Sequence, residues 1–124
     1  LPKEKFMFYE FTDSVADALS TMDIFVFPSY RESFGNALLE AMAMQLPIVT
    51  TFAGGVTDIV NCKENALCVE PQNHKQIYEA IKLLLSDDEL KNNIAINARK
   101  TAENHSFDEF IIKLEKDYSD FIKQ

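Results

Sequence analysis

The sequence has few of the residues that mark several large classes of protein. Its 124 residues contain two cysteines, two histidines and no tryptophan. No stretch approaches the roughly 18 continuous apolar residues of a membrane span, and no signal-peptide apolar region follows Leu1–Lys5. There is no internal repeat and no low-complexity run. We therefore expect a soluble, cytoplasmic module.

Positive charge is also scarce. Twelve Lys and Arg residues stand against 20 Asp and Glu residues, which gives a net charge of −8. A surface that binds nucleic acid normally carries a basic stripe, so we expect no nucleic-acid partner. The overall charge also opposes an anionic ligand. Such a ligand would have to be attracted by local features, of which Arg31 and a nearby helix start are the obvious candidates.

The two cysteines, Cys62 and Cys68, are separated by five residues. No third thiol and no histidine stands at metal-ligand spacing from them. In a reducing cytoplasm this pattern favours two free, partly buried thiols over a disulfide or a metal site.

The length and the 47% hydrophobic content predict one domain with one moderate core. Apolar and β-branched runs predict strands, and segments with helical spacing follow them. The predicted strands are 6–11, 24–27, 48–51 and 66–69. The first predicted helix has its N-cap within 12–14 and ends at about 21, the second starts at about 34, and a short third one ends at about 61. The remaining predicted helices are one that starts at 74, one at 88 to about 103, and one at 107 to about 123. Alternation of this kind predicts a parallel sheet with helices on both faces.

Residues 28–47 hold the candidate site, because an apolar strand runs there into a polar turn and then an apolar helix. Glu32 lies just before this helix, and Glu40 is the only charged residue between Ser33 and Thr57. We expect the backbone N–H groups of residues 33–37 to form an anion site between the two carboxylates, and Gly35 to admit a ligand close to the backbone. This arrangement suits a sugar phosphate or a nucleotide sugar. The alternative is that Glu32 is a solvated turn residue and that Glu40 caps a neighbouring backbone N–H.

The motif around the two glutamates resembles the Glu-x7-Glu signature of the retaining glycosyltransferases of GT-B fold, called group 1 or family 4. The similarity lies in Pro28-Ser29-x-x-Glu32-Ser33-Phe34-Gly35 and Glu40-Ala41-Met42-Ala43, and continues through Ala53-Gly54-Gly55 and Val69-Glu70-Pro71. Two positions depart from the family pattern, because Gln45 and Ala66 stand where glycine is usual.

The resemblance implies a role for each matching residue. Glu32 would be the catalytic residue that faces the donor sugar, and Glu40 would bind the ribose hydroxyls of the nucleotide. The remaining donor-binding residues would be Ser33, Phe34, Gly35, Asn36, Ala37, Leu38, Gly54 and Gly55, the first ones mainly through backbone amides. The substrate would be a nucleotide sugar, with no cofactor and no obligatory metal.

The resemblance also implies a domain organisation. Residues 1–124 would form a single Rossmann-like donor-binding domain with terminal helices at about 87–124, the C-terminal half of a GT-B fold truncated at its N-terminal side. The acceptor-binding N-terminal domain and the upstream Arg and Lys for the donor diphosphate would lie outside this chain, as would any part that associates with a membrane. We expect the parent enzyme to transfer a hexosyl group to a glycan, a lipid or another acceptor in polysaccharide biosynthesis, and the 124 residues alone to be inactive.

Two other classes of function are kept as alternatives. An acidic phosphoacceptor signalling domain would need an acidic pair after the first strand and a lysine after the last, and neither is present. A noncatalytic α/β interaction module would keep the fold without the chemistry. The acidic run Asp87-Asp88-Glu89 is interpreted as a helix N-terminus and not as a metal site, and neither His74 nor His105 is given a catalytic role.

Overall fold

The structure, a computed structural model, describes residues 5–33 and 35–106. Three strands alternate with helices along the chain. The elements are α1 (Val15–Ser20), β1 (Phe25–Phe27), α2 (Asn36–Ala43), β2 (Ile48–Thr51), a 3-10 helix (Gly54–Asp58), β3 (Leu67–Val69), α3 (His74–Ser86) and α4 (Asp88–Asn104). The helix predicted at 107–123 lies outside the described residues.

The three strands form one parallel sheet in the order β1-β2-β3. Neighbouring residues of the fully buried β2 face opposite sides of this sheet, as the strand period of two requires. Ile48 belongs to a core cluster with Leu38 and Met42 of α2, and Val49 belongs to a second cluster with Leu84 of α3. The prediction of a parallel sheet covered on both faces is therefore confirmed.

Helix α4 connects the two halves of the core. Its residue Ile94 lies in the cluster under α3, and Ala98, one turn later, lies in the cluster under α2. Asp87 caps α4 by accepting a hydrogen bond from the Leu90 N–H at 2.9 Å. Asp88 pairs with Lys91 at 2.9 Å, and this hydrogen bond lowers the pKa of Asp88 below its ordinary value. The acidic run thus serves the helix start, as predicted.

The strand predicted at 6–11 is wrong, because the structure has no strand there. The side chains of Phe8 and Phe11 are 93% and 83% exposed. The described sheet consists of β1, β2 and β3, and residues 6–11 pair with none of them. An apolar run becomes a strand only where a neighbouring strand satisfies its backbone groups, and the sequence pattern carries no information about that neighbour.

The prediction of free thiols is also wrong, since Cys62 and Cys68 form a disulfide. The chain turns back between them, and Cys62 forms a parallel bridge with Ala66 at the entrance to β3. This turn brings the two Cα atoms to 5.4 Å, which lies within the normal range for a disulfide. The prediction relied on the expected compartment and missed the geometry of the turn.

The two departures from the family pattern have different structural consequences. Gln45 follows α2 with a φ of 59°, a left-handed conformation that favours glycine, so glutamine is strained at this position. Ala66 has no positive φ and is fully buried in the core. Within the described part of the chain, no helix is both long enough and apolar enough to span a membrane.

Candidate functional site

The candidate site lies where β1 and β2 end side by side. Two threonine hydroxyls at the end of β2 fix the loop that leaves β1: Thr50 Oγ1 donates to the Phe27 carbonyl at 3.1 Å, and Thr51 Oγ1 donates to the Ser29 carbonyl. The Ser29 hydroxyl in turn donates to the Arg31 carbonyl at 3.1 Å. The loop therefore approaches Glu32 along a path set by hydrogen bonds at the carboxyl end of the sheet, where open α/β folds place their ligands.

The turns at Glu32 and at Gly54-Gly55 meet through their backbones. The Gly55 N–H donates to the Glu32 carbonyl at 2.8 Å. Gly54 has a φ of 60°, and a Cβ there would collide with the Glu32 carbonyl oxygen and lie 3.2 Å from its amide nitrogen. Only glycine allows this approach, so two predicted site segments that are 22 positions apart form one unit.

Helix α2 begins at Asn36, two residues later than predicted. Its N-cap is Gly35, which has a φ of 79° and no side chain to bond the first amides. No side chain of the described residues caps this helix, and Asn36 and Ala37 are exposed. The first amides of α2 therefore have no side-chain partner among the described residues, and the positive end of the helix dipole lies at exposed residues.

Glu32 is half-buried beside this helix start. Its Oε1 accepts a hydrogen bond from the Ser33 N–H at 3.1 Å, and its Cγ lies 3.7 Å from the place a Cβ of Gly35 would take. The Ser33 amide is therefore already occupied, which corrects the expectation that it is free to bind a ligand. Glu32 is not simply a solvated turn residue.

Glu40 lies one turn into α2, on the same side as Asn36 because the two residues are four positions apart. It is exposed, and its carboxylate caps no backbone group of the described residues. It lines a cavity of about 250 Å³ between α1 and α2 whose other walls are apolar, formed by Val15, Ala16, Leu19, Ala43 and Met44. A carboxylate at the edge of an apolar groove can accept hydrogen bonds from the hydroxyl groups of a ligand whose ring lies in the groove.

The structure brings most of the predicted site residues to one region. Glu32, Gly35, Gly54 and Gly55 are in contact or hydrogen-bonded as described above, and Asn36 and Ala37 follow at the start of α2. Leu38 has no exposed surface, backbone included, so its predicted contact with a ligand is closed off in this structure. Phe34 lies outside the described residues. Among those residues, no group of three or more His, Cys, Asp or Glu side chains is placed to hold a metal ion.

Sequence reasoning missed two contributors. The first is the pair of hydroxyl groups of Thr50 and Thr51, which hold the loop after β1. Both threonines were interpreted only as strand residues, although residues at the end of a parallel strand lie next to the loop that leaves the neighbouring strand. The second is the groove wall formed by Val15, Ala16 and Leu19. The sequence pattern predicted a helix here, and none of these residues was assigned to the site, although Val15 and Ala16 are exposed. No pattern within α1 indicates that its exposed side faces Glu40.

The chain that forms this loop and helix at the end of a parallel sheet is also similar in sequence to a known family. Residues 1–101 match the family model described as glycosyl transferases group 1. The chain therefore belongs to this glycosyltransferase family.

Similarity to a particular relative supports this assignment. The chain is 39% identical over 114 residues to a capsular polysaccharide biosynthesis glycosyltransferase of Staphylococcus aureus, covering 89% of the chain and 30% of that relative. The chain thus spans about a third of that protein's length.

Solved structures have the same fold. The C-terminal domain of a glycosyl transferase group 1 family protein from Francisella tularensis is 31% identical, with a TM-score of 0.70 over 80% of this chain and 51% of that one. An Anabaena protein solved in complex with UDP-glucose is 23% identical, with a TM-score of 0.72 over 88% of this chain and 29% of that one. The fold is that of the C-terminal domain of a GT-B glycosyltransferase. The phosphoacceptor and interaction-module alternatives have no support in these comparisons.

Proposed function

We propose that the protein containing this chain is a retaining glycosyltransferase of family 4, and that the chain supplies part of its nucleotide-sugar donor site. The observation that carries this proposal is the start of α2, where backbone N–H groups without a side-chain cap lie between Glu32 and Glu40. Because the chain belongs to the group 1 family, we interpret these N–H groups as part of a nucleotide-sugar site.

Each residue has a role in this proposal. Glu32, held against Gly55 and beside Gly35, faces the donor sugar at the reaction centre. The amides of Gly35 and Asn36 contact sugar hydroxyls, and that of Ala37 contacts a phosphate. Glu40 accepts hydrogen bonds from the ribose hydroxyls, and the groove along α1 offers apolar surface to the rest of the nucleoside.

The same arrangement stabilises the leaving group. Transfer of the sugar breaks its bond to the diphosphate and leaves negative charge on the phosphate oxygens. Fixed backbone N–H groups at the start of a helix stabilise such charge without reorganisation, which is how oxyanion holes act. In this proposal the reaction proceeds with retention and without an obligatory metal.

The proposal assigns the acceptor to another domain of the protein. The matching Staphylococcus aureus relative is about three times longer than this chain. We infer that an N-terminal domain binds the acceptor and that the 124 residues alone transfer no sugar. A polysaccharide is the class of product suggested by the name of that relative.

Isothermal titration with UDP-, GDP- and ADP-sugars tests the donor site. UDP-glucose is the first ligand to try, because the Anabaena neighbour was solved with it. Glu40→Ala should weaken donor binding about tenfold or more, since a ribose hydrogen bond to a charged acceptor is lost. The matched control is Glu79→Ala, which removes an exposed glutamate from α3, the helix packed on the second core cluster.

The control variant should bind the donor like the unmodified protein. Equal affinities of the Glu40→Ala and Glu79→Ala variants would contradict the ribose assignment. A protein that binds none of the nucleotide sugars in its full length would contradict the proposed function as a whole.

A further inference from the structure

Arg31 is an exposed cation on a backbone that is fixed on both sides. Its own carbonyl accepts the Ser29 hydroxyl at 3.1 Å, and the Ser29 carbonyl accepts the Thr51 hydroxyl. The carbonyl of the next residue, Glu32, is bonded to the Gly55 N–H at 2.8 Å. The loop that carries Arg31 is thus held in place, so a ligand that meets the side chain does not have to order the backbone.

The charge of Arg31 has no neighbour of the same sign in the sequence and no ionic partner in the described part of the chain. Residues 6–62 contain no other Lys, Arg or His, although they contain seven Asp and Glu residues. The two ion pairs found among the described residues, Lys91–Asp88 and Arg99–Glu103, both lie on α4. Arg31 does not pair even with the adjacent Glu32, whose carboxylate instead accepts the Ser33 amide.

An arginine in this position is suited to a phosphate. Its planar guanidinium presents five donors and binds phosphate oxygens in pairs, and it stays charged at every physiological pH. The chain carries a net charge of −8, so a lone exposed cation next to Glu32 is also a local attraction for an anionic substrate.

We propose that Arg31 binds a phosphate group of a substrate at the edge of the site, and so contributes to substrate specificity. This inference rests on the proposed function, which supplies the phosphate-bearing substrates. The phosphate belongs either to the nucleotide of the donor or to a phosphorylated acceptor, and the two sources share the same chemistry. Arg31 is a binding residue in both cases and takes no part in the chemical step.

The donor arm of the test uses UDP, GDP and ADP together with the corresponding nucleosides, titrated into the full-length protein. Arg31→Gln should weaken binding of the preferred diphosphate about tenfold and leave the nucleoside unchanged, because only the diphosphate carries the contacted group. Arg31→Lys should recover part of the loss, since it restores the charge but not the paired hydrogen bonds. The matched control is Lys100→Gln, which makes the same change of charge at an exposed position on α4.

The acceptor arm measures initial rates of transfer from the preferred donor. If the phosphate is on the acceptor, Arg31→Gln should raise the KM for that acceptor about tenfold, with kcat and donor affinity unchanged. The same acceptor without its phosphate should show no difference between the variant and the unmodified protein.

The outcomes separate the possibilities. A loss in the donor arm assigns the donor phosphate, and a loss in the acceptor arm alone assigns the acceptor phosphate. Behaviour of Arg31→Gln equal to that of Lys100→Gln in both arms overturns this inference and leaves the proposed function intact. Failure of the unmodified protein to bind any nucleotide overturns the proposed function, and this inference with it.

Discussion

At the scale of single residues, Gly54 and Gly35 show two different reasons for a glycine. Both have a positive φ, 60° and 79°. A Cβ at Gly35 would have only ordinary contacts, at 3.6 Å or more, whereas one at Gly54 would overlap the carbonyl oxygen of Glu32. The first position needs glycine for its backbone conformation, and the second also needs it for space.

Replacement of each glycine by alanine should separate these effects. Gly35→Ala should lower the free energy of unfolding by about 1–2 kcal/mol, the cost of a left-handed conformation for a residue with a Cβ. Gly54→Ala should cost about 3 kcal/mol or more, because the backbone of the Glu32 turn must also move. Urea unfolding measures both values, and equal losses in the two variants would contradict the steric account of Gly54.

At the scale of elements, one buried side chain ties the turn before β3 to α4. Asn65 is 2% exposed. Its amide group donates to the Ile59 carbonyl and to Thr101 Oγ1, both at 2.9 Å, and its Oδ1 accepts the Asn61 N–H at 2.8 Å. Asn65 thereby satisfies backbone groups that no strand or helix pairs.

Asn65→Ala should lower the free energy of unfolding by about 2–3 kcal/mol, because buried backbone groups lose their partners. Asn97→Ala is the matched control, since its amide makes a single exposed hydrogen bond, to the Glu64 carbonyl at 3.1 Å. That variant should lose less than about 1 kcal/mol. Chemical denaturation measures the free energy of unfolding of both variants. A loss for Asn65→Ala no larger than for Asn97→Ala would count against the role of the Asn65 side chain in joining the turn to α4.

The elements also show how far the sequence alone could go. Three elements were predicted correctly, because each depends on local periodicity or capping: the strand at 48–51, the helix from 74, and α4 with its start at Asp88. Within the site, the order of strand, Glu32 and helix was predictable in the same way. The backbone bond between Glu32 and Gly55 was not, because it depends on how two distant turns meet.

At the scale of the whole molecule, the disulfide and the N-terminal segment were the failures of prediction. Both depend on which parts of the chain lie next to each other in space. Cys62 and Cys68 come together because the chain reverses at 62–66, and residues 6–11 stay unpaired because none of the described strands lies beside them. Composition and periodicity describe single segments, so neither outcome can be read from them.

The disulfide should contribute measurably to the stability of the whole chain. It closes a loop with a sequence separation of six, for which the chain-entropy model gives about 2 kcal/mol. Reduction should therefore lower the Tm by about 8 °C for a domain of this size. Differential scanning fluorimetry with and without a thiol reductant measures the change.

A double variant, Cys62→Ala with Cys68→Ala, is the control for this experiment. Its Tm should not respond to the reductant, because it has no bond to reduce. If the unmodified chain is equally insensitive and its thiols react fully with an alkylating reagent before reduction, the disulfide does not form in solution.

The hydrogen bond between the Glu32 carbonyl and the Gly55 amide joins main-chain atoms only. Exchange of the glutamate for another amino acid removes a carboxylate but leaves this connection between the two turns in place. A substitution at position 32 should therefore change the chemistry of the site while the two turns keep their relative position. The main chain, and not the glutamate side chain, fixes the shape of this corner of the molecule.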